Sequence, residues 1–134
     1  MVEQEGLGHL IETDSAGTIG YHSGHPPDRR ASETALRRGI DLSDLRARQA
    51  IAEDFERFDY VLAMDLDNLE DLRNLCPQGH EAKLHLFLDF APQLELREVP
   101  DPYYGGAKGF ERVFEMVELA SKGLLERIKQ QDLT

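Results

Sequence analysis

The chain has 134 residues, of which 40% are hydrophobic and 31% charged, and its formal net charge at pH 7 is −11. This length predicts one domain, residues 1–134, with a hydrophobic core of its own. The acidic surface argues against binding to nucleic acids and anionic membranes, because both carry negative charge. The only cysteine, Cys76, excludes an internal disulfide and fits a reducing cytoplasm, where we expect the protein.

The first half of the chain predicts one strand and two helices. Residues 9–13 are predicted to form a short strand, and a loop rich in glycine and proline follows at 18–27. Asp28 is a favourable N-cap for a helix that runs to about Arg38, and Gly39 occupies the usual C-cap position. Residues 52–58 predict a second, short helix.

The second half alternates buried strands with helices. Residues 60–64 form an unbroken apolar run, which is typical of a strand buried on both faces of a parallel sheet. Asp65 then caps a helix, residues 84–88 predict a further strand, and residues 109–129 carry apolar side chains at helical spacing. This alternation predicts an α/β fold in which helices flank a small parallel sheet.

A short motif near the C-terminus, residues 101–106, points to proton-transfer chemistry. Asp101 lies between two prolines that restrict its backbone, and Tyr103 and Tyr104 follow it. A carboxylic acid beside aromatic rings can protonate the phenolate that leaves when an aryl phosphate is hydrolysed. Taken alone, the motif is also compatible with a plain turn, since Asp-Pro followed by Gly-Gly is common in turns.

Other segments, in order and at matching intervals, resemble the low-molecular-weight protein-tyrosine phosphatases. The resemblance covers essentially the whole chain and is carried by the residues at 14–18, 26–30, 46–49, 53–55, 58–60, 63–65, 68–69, 99–106 and 109–110. It implies a doubly wound parallel sheet. It also implies hydrolysis of a phosphotyrosine-containing protein or a small aryl phosphate through a cysteinyl-phosphate, without metal or cofactor.

The resemblance assigns roles to five residues. Asp101 matches the general acid that protonates the leaving phenol and later activates water. Tyr103 and Tyr104 match the pair that lines the cleft, and Tyr21 falls in the variable loop beside the substrate ring. Ser15 matches a serine that supports the phosphate loop, whereas Leu45 stands where many members have a histidine of that support network.

The resemblance also shows what these 134 residues lack. The family begins with an apolar strand followed by Cys-x5-Arg, which supplies the attacking thiolate, the amide cradle for the phosphate and the clamping arginine. No such motif is present, and Ala82 stands six residues after Cys76. We therefore expect an N-terminally truncated, inactive chain without a nucleophile.

The missing strand would lie in the middle of a sheet of order 2-1-3-4. Its absence leaves strand residues 9–13 without their neighbour, and unpaired buried backbone groups cost about 1–3 kcal/mol each. We therefore expect the chain to be unstable, to aggregate, or to form oligomers through the exposed sheet edge.

Two other functions remain open. A non-catalytic binding module would keep the cleft wall for docking, and an arsenate reductase would use the same fold with additional cysteines. His22 and His25 have the spacing of half a metal site but lack further ligands nearby, so we interpret them as loop residues.

Overall fold

A computed structural model of the protein describes residues 1, 4–18, 24, 26–100 and 106–132. In chain order its helices and strands are α1 (Arg29–Arg37), α2 (Asp54–Arg57), β1 (Val61–Ala63), α3 (Leu66–Leu75), β2 (Leu84–Leu86) and α4 (Gly106–Gln131). Within the described residues, 3₁₀ helices lie at Glu81–Lys83, Phe87–Phe90 and Pro92–Leu94. No helix in the described ranges is long and apolar enough to cross a membrane.

The helix termini follow their capping residues. Asp28 Oδ1 accepts hydrogen bonds from the N–H groups of Arg30 (2.9 Å) and Ala31 (3.3 Å), and α1 ends ahead of Gly39, whose φ is +81°. Asp65 Oδ1 accepts from the N–H of Asn68 at 2.7 Å and starts α3 in the same way. Both predicted N-caps are confirmed, because a carboxylate here satisfies amides that lack partners within the helix.

The strands β1 and β2 pair in parallel, with Val61 opposite Leu84 and Ala63 opposite Leu86. Along β1 the side chains alternate between two apolar clusters. Val61 and Ala63 contact the cluster that includes Phe55, whereas Leu62 packs against the other. The sheet therefore lies between two cores, as predicted for an α/β fold with helices on both sides.

The two cores use different helices. The first is made by α2, α3 and the sheet, and its buried residues are Phe55, Ala63, Leu69, Leu72 and Leu86. The second lies between α4 and the chain after β2, and its buried residues are Phe87, Leu88, Ala91, Met116 and Ala120. Burying one large apolar side chain stabilises the fold by about 1.5–3 kcal/mol.

Two arginines at the C-terminal end of α1, Arg37 and the C-cap residue Arg38, connect this helix to α4. Arg38 forms an ion pair with Glu111 at 2.7 Å, and its guanidinium lies 4.7 Å from the centre of the Phe114 ring. Arg37 also reaches Glu111, at 3.4 Å. These two basic residues therefore contribute to a contact between α1 and α4.

Two strand predictions differ from the structure. Residues 9–13 form no strand. Residues 8–10 make a turn, and the chain from 11 to 16 has no regular secondary structure. The strand predicted at 84–88 ends at Leu86, because Phe87–Phe90 turns into a 3₁₀ helix. This turn lets the consecutive residues Phe87 and Leu88 both enter the core that faces α4.

Candidate active site

The carboxyl end of β1 anchors the segment that precedes Asp101. The N–H of Val99 donates to the carbonyl oxygen of Met64 at 2.8 Å. The N–H of Leu66, at the start of α3, donates to Glu98 Oε1 at 3.0 Å. Two contacts therefore fix the chain a few residues before Asp101 to the end of a parallel strand, which is where α/β proteins commonly place their sites.

A second segment, residues 14–18, approaches the same region. Gly17 forms a parallel bridge with Gln49, in which the Gly17 N–H donates to Arg48 O and the Ala50 N–H donates to Gly17 O, both at 2.8 Å. Asn68 Nδ2 of α3 donates to Thr18 Oγ1 at 3.3 Å. These contacts hold the segment that contains Ser15 against both the following chain and α3.

Arg48 stabilises this segment electrostatically. Its guanidinium donates to both carboxylate oxygens of Asp54, at 3.0 and 3.1 Å, and lies 3.2 Å from Asp14. The Asp54 side chain is only 14% exposed. Burial by itself would raise the pKa of Asp54, but the hydrogen bonds from Arg48 and from the Ile51 N–H outweigh it and hold this pKa below its usual value.

A groove of about 750 Å³ lies between the segment that contains Ser15 and the chain around β1. We call it the strand groove, and it is lined by residues 10–18 on one side and by residues 59–64 with Asp54 and Phe55 on the other. Leu72, Phe87, Leu124 and Ile128 add apolar surface from other elements.

The structure describes one of the five predicted site residues. Ser15 lines the strand groove and is exposed, and its N–H donates to Asp14 Oδ1 at 2.8 Å. The other four, Tyr21, Asp101, Tyr103 and Tyr104, lie outside the described residues.

Cys76 occupies an unfavourable position for a nucleophile. It follows the last residue of α3, where its N–H donates to Leu72 O at 2.9 Å. Burial and the nearby charge of Glu81 raise the pKa of its thiol. The negative end of a helix dipole also disfavours a thiolate, whereas reactive cysteines are commonly found at helix N-termini. Cys76 is also not among the residues that line the strand groove.

Arg48, Glu98 and Asn68 shape this region, but no sequence motif predicts their roles. Arg48 and Glu98 act through long side chains, and Asn68 bonds to a residue fifty positions away. Arg48 and Asn68 lie in segments that carried the family resemblance, and this was the only signal available for them. In the part of the chain that the structure describes, no group of three or more His, Cys, Asp or Glu side chains is placed to bind a metal.

Comparison with known proteins gives one consistent result. Residues 1–133 match the family model for low molecular weight phosphotyrosine protein phosphatase. The chain is 45% identical over 133 residues to a low molecular weight protein-tyrosine-phosphatase of Streptomyces coelicolor, covering 97% of this chain and 80% of that protein. A human low molecular weight phosphotyrosine protein phosphatase is 38% identical over 129 residues, covering 95% and 80%.

The fold agrees with these sequence matches. A crystal structure of a protein tyrosine phosphatase from Entamoeba histolytica superposes with a TM-score of 0.91 at 37% identity, covering 96% of this chain and 82% of the other. The predicted α/β fold with a parallel sheet flanked by helices is therefore confirmed. The chain belongs to the low molecular weight phosphotyrosine protein phosphatase family.

Proposed function

We propose that this chain is a protein-tyrosine phosphatase polypeptide that holds the proton donor of the reaction but no attacking cysteine. The observation that carries the proposal is the family match over residues 1–133, with relatives that are named as phosphotyrosine phosphatases. The substrates would be phosphotyrosine-containing proteins or small aryl phosphates, and the predicted cytoplasmic location stays a prediction.

In this proposal Asp101 is the general acid. It would protonate the phenolate oxygen as the phosphorus–oxygen bond breaks, and it would then remove a proton from the water that releases phosphate. The contacts of Glu98 with the start of α3 and of Val99 with Met64 support this role, because they restrain the chain that leads to Asp101. Tyr103, Tyr104 and Tyr21 would contact the substrate ring.

Ser15 would act as a support for the phosphate-binding loop. The contacts of Arg48 with Asp14 and of Asn68 with Thr18 argue for this role, because they hold the backbone on both sides of Ser15. A residue that positions a loop needs a restrained backbone of its own.

The proposal also holds that the 134 residues by themselves are inactive. Cys76 is the only thiol, its pKa is raised by burial, and Ala82 occupies the position of the arginine in a Cys-x5-Arg loop. A general acid alone has no covalent step on which to act. General acid–base catalysis contributes about 10²- to 10⁴-fold, and only when the rest of the machinery is present.

The first experiment measures hydrolysis of p-nitrophenyl phosphate by the purified 134-residue chain, and we expect no turnover above the buffer blank. Metal-independent turnover that disappears in Asp101→Ala would contradict the proposed inactivity.

The second experiment tests the phosphatase role itself. A segment with the pattern that the family resemblance implies, an apolar strand followed by a Cys-x5-Arg loop, is joined in front of Met1. We expect this chimera to hydrolyse the substrate, and Asp101→Asn to lower the rate by about 10²- to 10⁴-fold. Asp71→Asn, which removes an exposed carboxylate on α3, is the matched control and should keep full activity. A folded chimera without turnover, or one in which the two variants behave alike, would refute the proposed role of Asp101.

A further inference from the structure

The middle residue of β2 is a histidine that takes no part in the proposed reaction. His85 stands between Leu84 and Leu86, and both leucines pack in the core that α2 and α3 form with the sheet. Because side chains alternate along a strand, His85 points to the opposite side, towards α4. The residue is half-buried there, so the groups packed around it determine the cost of protonating it.

The imidazole ring of His85 packs against two other aromatic rings. Its centre lies 6.1 Å from the centre of the Tyr60 ring and 5.6 Å from that of the Phe90 ring, which it meets at 71°. The Arg127 guanidinium of α4 lies over the same Phe90 ring, 5.4 Å from its centre. We call these four side chains the ring cluster, and in it an imidazole and a guanidinium share one aromatic partner.

The C-terminal part of α4 is attached to the sheet through the same rings. Arg127 covers Phe90, and Gly123 lies against the Phe90 backbone. The Tyr60 hydroxyl donates to Asp132 Oδ2, just after the end of α4, at 2.7 Å. Each of these contacts uses one of the two rings that the imidazole touches. A change in the imidazole therefore acts directly on the attachment of the last turns of α4.

The charges around His85 favour its neutral form. Within the described ranges, the charged and titratable groups on the elements packed against it are Asp59 and Tyr60 before β1, Lys83 before β2, Asp89 of the 3₁₀ helix, and Arg127 and Asp132 of α4. Burial and then the charge of Arg127 lower the pKa of His85, and Asp89 offsets only part of this. Lys83 Nζ donates to Phe55 O at 2.7 Å, and the Asp132 carboxylate already accepts from the Tyr60 hydroxyl.

We propose that His85 is a pH-sensitive latch for the C-terminal part of α4: the neutral imidazole holds residues 123–132 against the sheet, and the imidazolium releases them. Protonation would place two cations, His85 and Arg127, on one half-buried ring, and moving Arg127 into water relieves their repulsion. Because the folded pKa of His85 lies below the usual 6.5, the stabilisation is complete above pH 6.5 and is lost as the pH falls through the folded pKa.

Amide hydrogen exchange of the full 134-residue chain tests the latch. Protection factors, corrected for the intrinsic pH dependence of exchange, are compared at about pH 7.5 and about pH 5. We expect protection of residues 123–132 to fall several-fold at the lower pH, and that of residues 108–116 to change less. His85→Phe keeps an aromatic ring but cannot be protonated, so its protection should be equal at both pH values. His9→Phe, in an exposed turn, is the matched control and should show the parental fall.

An NMR titration of the parent chain tests the electrostatic origin of the latch. The imidazole signal of His85 is assigned through its proximity to the Tyr60 and Phe90 rings and followed between about pH 5 and about pH 8. Its midpoint should lie below 6.5. In Arg127→Gln the midpoint should rise, because the neighbouring cation is gone. An Arg127 side chain that only packed on Phe90 would leave this midpoint unchanged.

Three results would overturn the proposal. The first is equal protection of residues 123–132 at the two pH values in the parent. The second is the same fall in His85→Phe, which would assign the pH response to other groups. The third is a His85 midpoint at or above 6.5, or one that Arg127→Gln does not move. The titration decides the question even if His85→Phe fails to fold. Neither measurement uses phosphate hydrolysis, so the latch and the phosphatase proposal fail independently of each other.

Discussion

Replacing Gly123 with alanine tests the closest approach between α4 and the 3₁₀ helix Phe87–Phe90. A Cβ atom built on Gly123 would lie 3.0 Å from the carbonyl carbon of Phe90 and 3.5 Å from its Cβ, and would overlap sterically with the carbonyl oxygen. An ordinary C···O contact is about 3.3–3.6 Å. Because the obstacle is backbone, the overlap cannot be relieved by rotating a side chain, and the two elements must move apart.

The size of the effect follows from two opposing contributions. Alanine in place of glycine favours a helix by about 1 kcal/mol. Overpacking costs about 1–3 kcal/mol, and a displacement on the order of 1 Å also forfeits a quarter to a half of the dispersion attraction across the contact. That contact includes Phe87 and Leu88 against Met116 and Ala120. We expect a net loss of about 2 kcal/mol in the free energy of unfolding, or about 8 °C in melting temperature.

Urea denaturation followed by circular dichroism measures this difference. The control is Lys122→Ala, one position earlier in α4, where the side chain is 62% exposed. It should change the free energy of unfolding by no more than about 0.5 kcal/mol. If Gly123→Ala is as stable as the parent or more stable, the helix-propensity gain dominates and the close contact with Phe90 does not exist.

Two further predictions concern charge. Asp54→Asn should cost about 1–3 kcal/mol at pH 7, because it removes the ionised acceptor of Arg48 and of the Ile51 N–H. Because the folded pKa of Asp54 lies below the usual 3.8, this stabilisation is complete above pH 3.8 and is lost as the pH falls through the folded pKa. The difference between parent and variant in urea denaturation should narrow in that range, and a constant difference would contradict the argument. The Cys76 thiol should react with iodoacetamide at pH 7.5 several-fold more slowly than the thiol of glutathione does, because burial and the charge of Glu81 raise its pKa. An equal or faster reaction rate would show that the thiol is activated.

Capping residues and apolar runs identified most elements of the fold from sequence. Asp28 and Asp65 predicted the starts of α1 and α3. In both cases the N–H groups that donate to the carboxylate lie within three residues of it, so the pattern is visible in the sequence. Strand β1 lies inside the predicted apolar run at 60–64, and α4 extends a few residues beyond the predicted 109–129 at both ends.

The strand predicted at 9–13 was wrong because a strand needs a neighbour. Its local pattern is compatible with extended structure, but among the described residues the chain there pairs with no strand, and residues 8–10 form a turn. At 84–88 the early end of β2 has a similar origin, since contact with α4 rather than local preference determines the conformation of Phe87 and Leu88.

For the candidate site, too, sequence and structure contributed different information. The roles of Asp101, Tyr103, Tyr104, Tyr21 and Ser15 come from resemblance in sequence and stay predictions. The contacts that restrain the region were not predicted: Glu98 to the start of α3, Asn68 to Thr18, and Arg48 to Asp54.

The amino-acid sequence by itself determined the family, the order of the elements from α1 to α4, and the absence of a Cys-x5-Arg motif from these 134 residues. These properties depend on residue identities and on hydrogen bonds between near neighbours, which a linear pattern records. Only the tertiary structure decided that Cys76 lies at the C-terminal end of α3 with a raised pKa, that Gly123 touches the backbone of Phe90, and that a groove lies beside β1. Each of these depends on the packing of segments that are distant in the chain, and no local pattern specifies that packing.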